Sequence, residues 1–204
     1  MRSALAENLL SICPIIEKGP TNDHILPLFL NLLRDESSEV RLNLFKKLDD
    51  LNEVIGIEDL QQSIIPSLME LSQDKNWRIK LSVVEQFPVL ARQLGETFFN
   101  EKLSPIAAAW LKDSVFTIRE AAINNLKQLS IIFGPQWAAR NMLPKLLSQH
   151  TDLNYLHRLT PLFGMAVIGQ TMPFEIIKKM FVPVLQTLQK DKVANIRMNV
   201  AKTM

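Results

Sequence analysis

Asp35, Asp74, Asp113, Asp152 and Asp191 stand at a constant spacing of 39 residues. The bases Arg2, Arg41, Lys80, Arg119, Arg158 and Arg197 keep the same spacing, and so do Pro27, Pro66, Pro105, Pro144 and Pro183. Three independent columns sharing one period without a gap restrict the fold severely. Each cycle must be one structural unit, and neighbouring units must stack, because a unit of this length cannot bury an apolar face alone.

The apolar columns identify the unit. Ile12, Leu51, Leu90, Leu129 and Ile168 share one phase. Ile16, Ile55, Leu94, Phe133 and Met172 share a second, and Phe29, Leu68, Ala107, Leu146 and Leu185 a third. Within a cycle the apolar residues recur at three- and four-residue steps, the helical period. Period-2 alternation is absent. Gly56, Gly95, Gly134 and then Pro173 occupy one phase, where glycine and proline terminate helices. Each repeat therefore divides into an outer helix A and an inner helix B. Helices A are expected near 22–33, 60–72, 97–111, 136–149 and 174–189. Helices B are expected near 1–16, 38–54, 77–93, 116–133, 155–169 and 193–204.

The recurrent proline lies inside each A helix. Proline removes a hydrogen bond to the carbonyl four residues back, so a bend in helix A is expected there, with a helix start at proline as the alternative. The acid lies in the A–B turn, where a carboxylate accepts backbone N–H groups and meets the positive end of helix B. The base follows in the first turns of B. The expected result is a ladder of acid–base contacts along the turn edge: Asp35 and Arg41, Asp74 and Lys80, Asp113 and Arg119, Asp152 and Arg158, Asp191 and Arg197. The period, the Asp…Arg pattern and the A-helix proline select the HEAT repeat. The fold expected is all-α, a right-handed α-α superhelix of about eleven helices. The whole of 1–204 reads as one array, with repeats at roughly 1–19 (partial), 20–56, 57–95, 96–134, 135–173 and 174–204. Neither end reads as a polar capping repeat, so a longer parent solenoid is expected.

Composition narrows the function. The chain has 204 residues, 47% hydrophobic, with 23 bases against 21 acids. That balance gives no broad attraction to nucleic acid or anionic lipid. The single cysteine, Cys13, excludes an internal disulfide framework and suits a reducing compartment, cytoplasm or nucleus. No apolar run approaches the length needed to span a membrane, and the start, with Glu7 in its apolar region, makes a poor signal peptide.

His24, His150 and His157 form no metal-ligand spacing, and Cys13 has no partner cysteine. There is no phosphate-binding glycine loop and no nucleophile elbow. The carboxylates recur with the repeat, which marks structure, since a catalytic site is singular. The expectation is a chain with no enzymatic activity, no metal and no cofactor, acting on no small-molecule substrate, and binding neither nucleic acid nor membrane.

Departures from the repeat are more informative. Trp77, Phe116 and Tyr155 share one phase at the start of helix B, where Ser38 and Ala194 stand in the flanking repeats. Either these rings pack onto the neighbouring repeat, or they form an exposed aromatic row flanked by Lys75, Arg78, Lys112 and Lys192. Aromatics and arginine are enriched at interface centres. Trp110 and Trp137 lie inside helices and read as core. Lys46-Lys47, Lys178-Lys179 and Lys190/Lys192 read as solvated faces.

The stretches "DESSEVRLNLFKKLDDLNEVIGI", "KNWRIKL", "FTIREAAINNLKQL", "DLNYLHRLT" and "VANIRMNVAK" resemble the 65 kDa scaffolding component of protein phosphatase type 2A, in the later repeats of its array. The resemblance runs along the whole chain. It implies a non-catalytic horseshoe of HEAT repeats. Its intra-repeat turns hold the phosphatase catalytic subunit, and other repeats hold a regulatory B-type subunit. It implies that Trp77 and Arg78 are a tryptophan–arginine pair on the binding ridge, and that Tyr155 and Val193 are further contacts. Phe116 keeps a ring where relatives often have tyrosine and lacks the hydroxyl. Lys75 and Asn154, in the same turns, complete the expected partner-binding set. A nuclear-transport-type HEAT receptor, another protein-interaction solenoid, or a nucleic-acid-binding HEAT enzyme are the alternatives.

Overall fold

The computed structural model describes residues 2–12, 15, 18–33, 35, 37–45, 54, 62 and 64–204. Cys13, Ile16, Lys46, Lys47, Leu51, Ile55 and Gly56 lie outside them, as do most of the expected 38–54 helix beyond Phe45 and the start of the 60–72 helix. Among the described residues every regular element is helical, and no helix is long and apolar enough to cross a membrane.

The chain forms two compact units, Met1–Leu94 and Gly95–Met204. In the first, α1 (Arg2–Asn8) packs on α3 (Ser38–Phe45), and α2 (Leu26–Leu33) packs on α3. Then come α4 (Ile65–Leu71) and α5 (Trp77–Phe98). The helical assignment of α5 runs through Gly95, whose φ of 82° and ψ of 170° are not helical, so two helices meet at that glycine. Phe29, Leu33, Leu44, Ile64 and Phe87 are sealed in this unit's core.

The second unit holds α6 (Ser104–Trp110), α7 (Phe116–Ile132), α8 (Pro135–Asn141), α9 (Leu143–Leu147), α10 (Tyr155–Ile168), α11 (Val182–Leu188) and α12 (Ala194–Thr203). Packing follows chain order. The inner helix α7 meets α10, and α10 meets α12, while α6, α9 and α11 each cover the inner helix of their own repeat. This is a stack with nearest-neighbour contacts. Phe99, Phe133 and Trp137 form an aromatic cluster with ring centroids 4.8–5.6 Å apart, an arrangement worth about 0.5–1.5 kcal/mol per pair beyond burial. Trp137 Nε1 donates to Asn100 Oδ1 at 2.9 Å, which satisfies the buried indole. Trp110 and Trp137 are both 3% exposed.

The A-helix prolines follow neither simple expectation. Pro27, Pro105 and Pro183 are each the second residue of a helix, as in the helix-start alternative. The backbone does not break before them, however. A five-residue π-turn precedes each, at Thr21–Ile25, Phe99–Leu103 and Ile177–Phe181. The residue before proline donates five positions back: Leu26 to Thr21, Ser104 to Phe99, Val182 to Ile177. The wider turn absorbs the hydrogen bond that proline cannot make. In the fourth repeat the same problem is solved by a break at Met142, between α8 and α9.

Gly134, with φ 91°, ends α7 in a conformation that costs other residues strain. Pro173, at the same phase, has φ −59° and ψ 146°, so the fourth repeat leaves its inner helix by a different, extended path.

Candidate functional site

The A–B turns share one construction. In all five, the aspartate Oδ1 accepts the backbone N–H two residues on: Ser37, Asn76, Val115, Asn154 and Val193, at 2.7–2.8 Å. The arginine six residues after the acid closes the other side. Arg119 Nη1 donates to the carbonyls of Asp113 and Ser114, Arg158 Nη1 to those of Asp152 and Leu153, and Arg197 Nη1 to those of Asp191 and Lys192. The base therefore meets its own repeat's carbonyls, not that repeat's carboxylate, because the acid is already engaged with the turn's N–H. Turns held on both sides make rigid mounts for the side chains on them.

The rest of the guanidinium reaches the acid of the following repeat. Arg2 Nε lies 2.8 Å from Asp35 Oδ2, Arg41 Nη1 3.6 Å from Asp74 Oδ2, and Arg158 Nε 2.7 Å from Asp191 Oδ2. The Arg158 hydrogen bond holds the Asp191 carboxyl below the usual carboxylate range, against the opposing effect of burial. The same bond raises Arg158. Lys80, half-buried, has no fork and cannot reproduce the two-point grip. In the third repeat, Arg119 makes no such pair with Asp152. The Asp152 carboxylate instead takes His157 Nδ1 at 3.2 Å, and the Asn154 N–H followed by His157 lowers its pKa.

The aromatic column divides between the units. In the first, Trp77 is half-buried at the start of α5, with Arg78 Cζ 4.6 Å above its ring; Arg78 and Lys75 are exposed. In the second, Phe116 is 57% and Tyr155 42% exposed at the starts of α7 and α10, and Val193 is half-buried. Asn154 is exposed, but its oxygen caps α10 by accepting the Leu156 N–H, a structural task.

Three residues of the fourth repeat were absent from the sequence-derived set. Leu153 is 99% exposed at the turn tip, and Leu156 and Phe163 are exposed along α10. The signal was available. Leu153 stands in a column with Lys75, Ser114 and Lys192. Leu156 stands with Arg78, Thr117 and Asn195, and Phe163 with Glu85, Asn124 and Lys202. Three apolar side chains in three polar columns mark this repeat as a surface that prefers contact to water. Beside them a groove of about 330 Å³ runs over α7, α10 and α12. The Phe116 ring turns into it, 6.4 Å from Phe163. No cluster of three metal-ligating side chains occurs among the described residues.

Comparison with known proteins adds a family. The family model described as PIK3R4-like, middle domain, matches residues 16–132. The chain belongs to that family. Over 65 residues, 32% of its length, the chain is 45% identical to the 65 kDa-type scaffolding regulatory component of protein phosphatase PP2A from Schizosaccharomyces pombe, covering 11% of that protein. The strong phosphatase 2A likeness thus occupies a short stretch, not the whole chain. A likeness along the full chain, 22% over 212 residues, is to serine/threonine-protein phosphatase 4 regulatory subunit 1 of Rattus norvegicus, of which the chain spans 22%. Among solved structures, Cex1p superposes with a TM-score of 0.71 over 98% of this chain and 37% of its own, at 17% identity, which establishes the fold alone.

Proposed function

We propose that the chain is part of a non-catalytic scaffold that holds the catalytic subunit of a serine/threonine protein phosphatase through its A–B turns and brings a regulatory B-type subunit to it, in the cytoplasm or nucleus. The observation that carries this reading is the exposure of Phe116, Tyr155 and Leu153 on turns fixed by the Asp and Arg of each repeat. Identity to two phosphatase regulatory subunits supports the class of partner. Binding energy at such surfaces comes from a few aromatic and arginine anchors, here Trp77, Arg78, Phe116 and Tyr155, with Lys75 and Val193 at their margins. The scaffold's contribution is geometric: it fixes where the phosphatase sits relative to its partner.

The test is a pull-down of a type 2A phosphatase catalytic subunit by the chain, by Trp77→Ala and by Tyr155→Ala. Each variant is expected to lose at least about tenfold in affinity while retaining its helical spectrum. Folded variants that bind as well as the parent would refute the ridge assignment.

A further inference from the structure

Arg119 is 7% exposed, and one of its nitrogens, Nη1, is bound to the carbonyls of Asp113 and Ser114. Its Nε and Nη2 have no acceptor among the described residues. The same two nitrogens of Arg158, one repeat on, grip Asp191 at 2.7 and 3.0 Å. The acid that would serve Arg119 by that pattern is Asp152, which is held by the Asn154 N–H and His157. Burial draws Arg119 below its ordinary pKa despite the nearby Asp113 carboxylate. A buried guanidinium with two unfilled donors is costly to maintain.

Arg119 also lines the groove over α7, α10 and α12, whose walls include Phe116, Ile123, Leu156 and Phe163. Its guanidinium lies 5.6 Å from the centre of the Phe116 ring. Lys202 and Glu120 stand among the lining residues, so with Arg119 the charged groups sum to one net positive charge. The groove thus offers an apolar trough with a planar, two-point anion receptor in its wall.

We propose that this groove binds a segment of a partner protein that carries a carboxylate beside a bulky apolar side chain. The carboxylate would occupy the Nε and Nη2 donors of Arg119, the place Asp191 takes on Arg158, and the apolar side chain would lie between Phe116 and Phe163. Arg is suited to this task because its fork matches a carboxylate at two points. The site is separate from the ridge reading: Trp77 and Tyr155, which test that reading, do not line the groove.

The experiment uses 4-phenylbutyrate as a minimal probe and 4-phenylbutyramide as its neutral counterpart, titrated into the isotope-labelled chain and followed by NMR. The Arg119 Nε–H signal is identified by its loss in Arg119→Gln. The carboxylate is expected to shift that signal and the Phe163 ring saturably, and to bind at least about tenfold more tightly than the amide. Phe163→Asn, which restores the residue found at Asn124, is expected to abolish binding of both and leaves Arg119 in place. Equal binding of the two probes, or an unmoved Arg119 signal, overturns the proposal. Asp152→Asn separates the internal explanation. Unchanged affinity is expected; a gain of about tenfold would show that Asp152 itself fills Arg119 in solution, and would overturn it.

Discussion

The Arg158 guanidinium grips the Asp191 carboxylate with two nitrogens, Nε to Oδ2 at 2.7 Å and Nη2 to Oδ1 at 3.0 Å, across 33 residues of chain. Both side chains are under a tenth exposed. The pair ties the fourth repeat to the fifth, and Asp191 Oδ1 also holds the Val193 N–H. Replacing Asp191 by Ala strands the cation and frees the turn together. A loss of about 3 kcal/mol is expected in urea unfolding. Arg158→Met combined with Asp191→Asn should recover part of it, because no buried charge is then left alone. A double variant as unstable as the summed singles would show that the two residues act independently.

The same pair sets an acid limit. Asp191 is depressed by Arg158, and Asp152 by the Asn154 N–H and His157. A carboxyl with a lowered folded pKa binds its proton less readily folded than unfolded. Its stabilisation is complete above the unfolded value of about 4 and is lost as pH falls through the folded value. Unfolding free energy should therefore fall below about pH 4. Asp191→Asn should flatten that limb, a difference visible in urea titrations at several acid pH values.

Gly164 lies in α10 where a Cβ would stand 2.6 Å from Leu146 Cδ2 and 3.2 Å from Cδ1. Leu146 is fully buried, so its end has little room to yield. Gly164→Ala gains helix propensity and loses more to overpacking. A net loss of about 1–2 kcal/mol is expected. Pairing it with Leu146→Val should lessen the penalty relative to Leu146→Val alone, measured by thermal unfolding. An unchanged or raised midpoint for Gly164→Ala would mean that α9 and α10 separate freely.

The repeat period was legible because every unit must present the same faces to its neighbours, and that demand repeats the same residue types. It yielded the helix pairs, the turn acids and the glycine phase. The π-turns before Pro27, Pro105 and Pro183 were not legible, since the same proline permits a bend, a helix start or a widened turn, and packing selects among them. Arg119 and Arg158 look identical in sequence. Only the position of His157 beside Asp152 distinguishes them, and that is a contact between side chains, not a pattern. Leu153, Leu156 and Phe163 were readable as departures from polar columns. A search confined to aromatic residues at the helix start overlooked them, because an exposed leucine taken singly is ordinary.

Leu153 separates partner contact from stability more cleanly than any ring on the ridge. It is 99% exposed, and its turn is held by the Asp152 carboxylate and the Arg158 guanidinium, neither of which needs the leucine side chain. Leu153→Ser should leave unfolding free energy within about 0.5 kcal/mol of the parent. If the tip anchors the phosphatase catalytic subunit, the same change should weaken binding by roughly 30-fold, the effect of an anchor worth about 2 kcal/mol. Ile131 is the control, being 61% exposed near the far end of α7, away from the turns. Ile131→Ser should leave binding unchanged in the same assay. Equal losses for both variants would point to general surface stickiness, and no loss for Leu153→Ser would place the contact elsewhere.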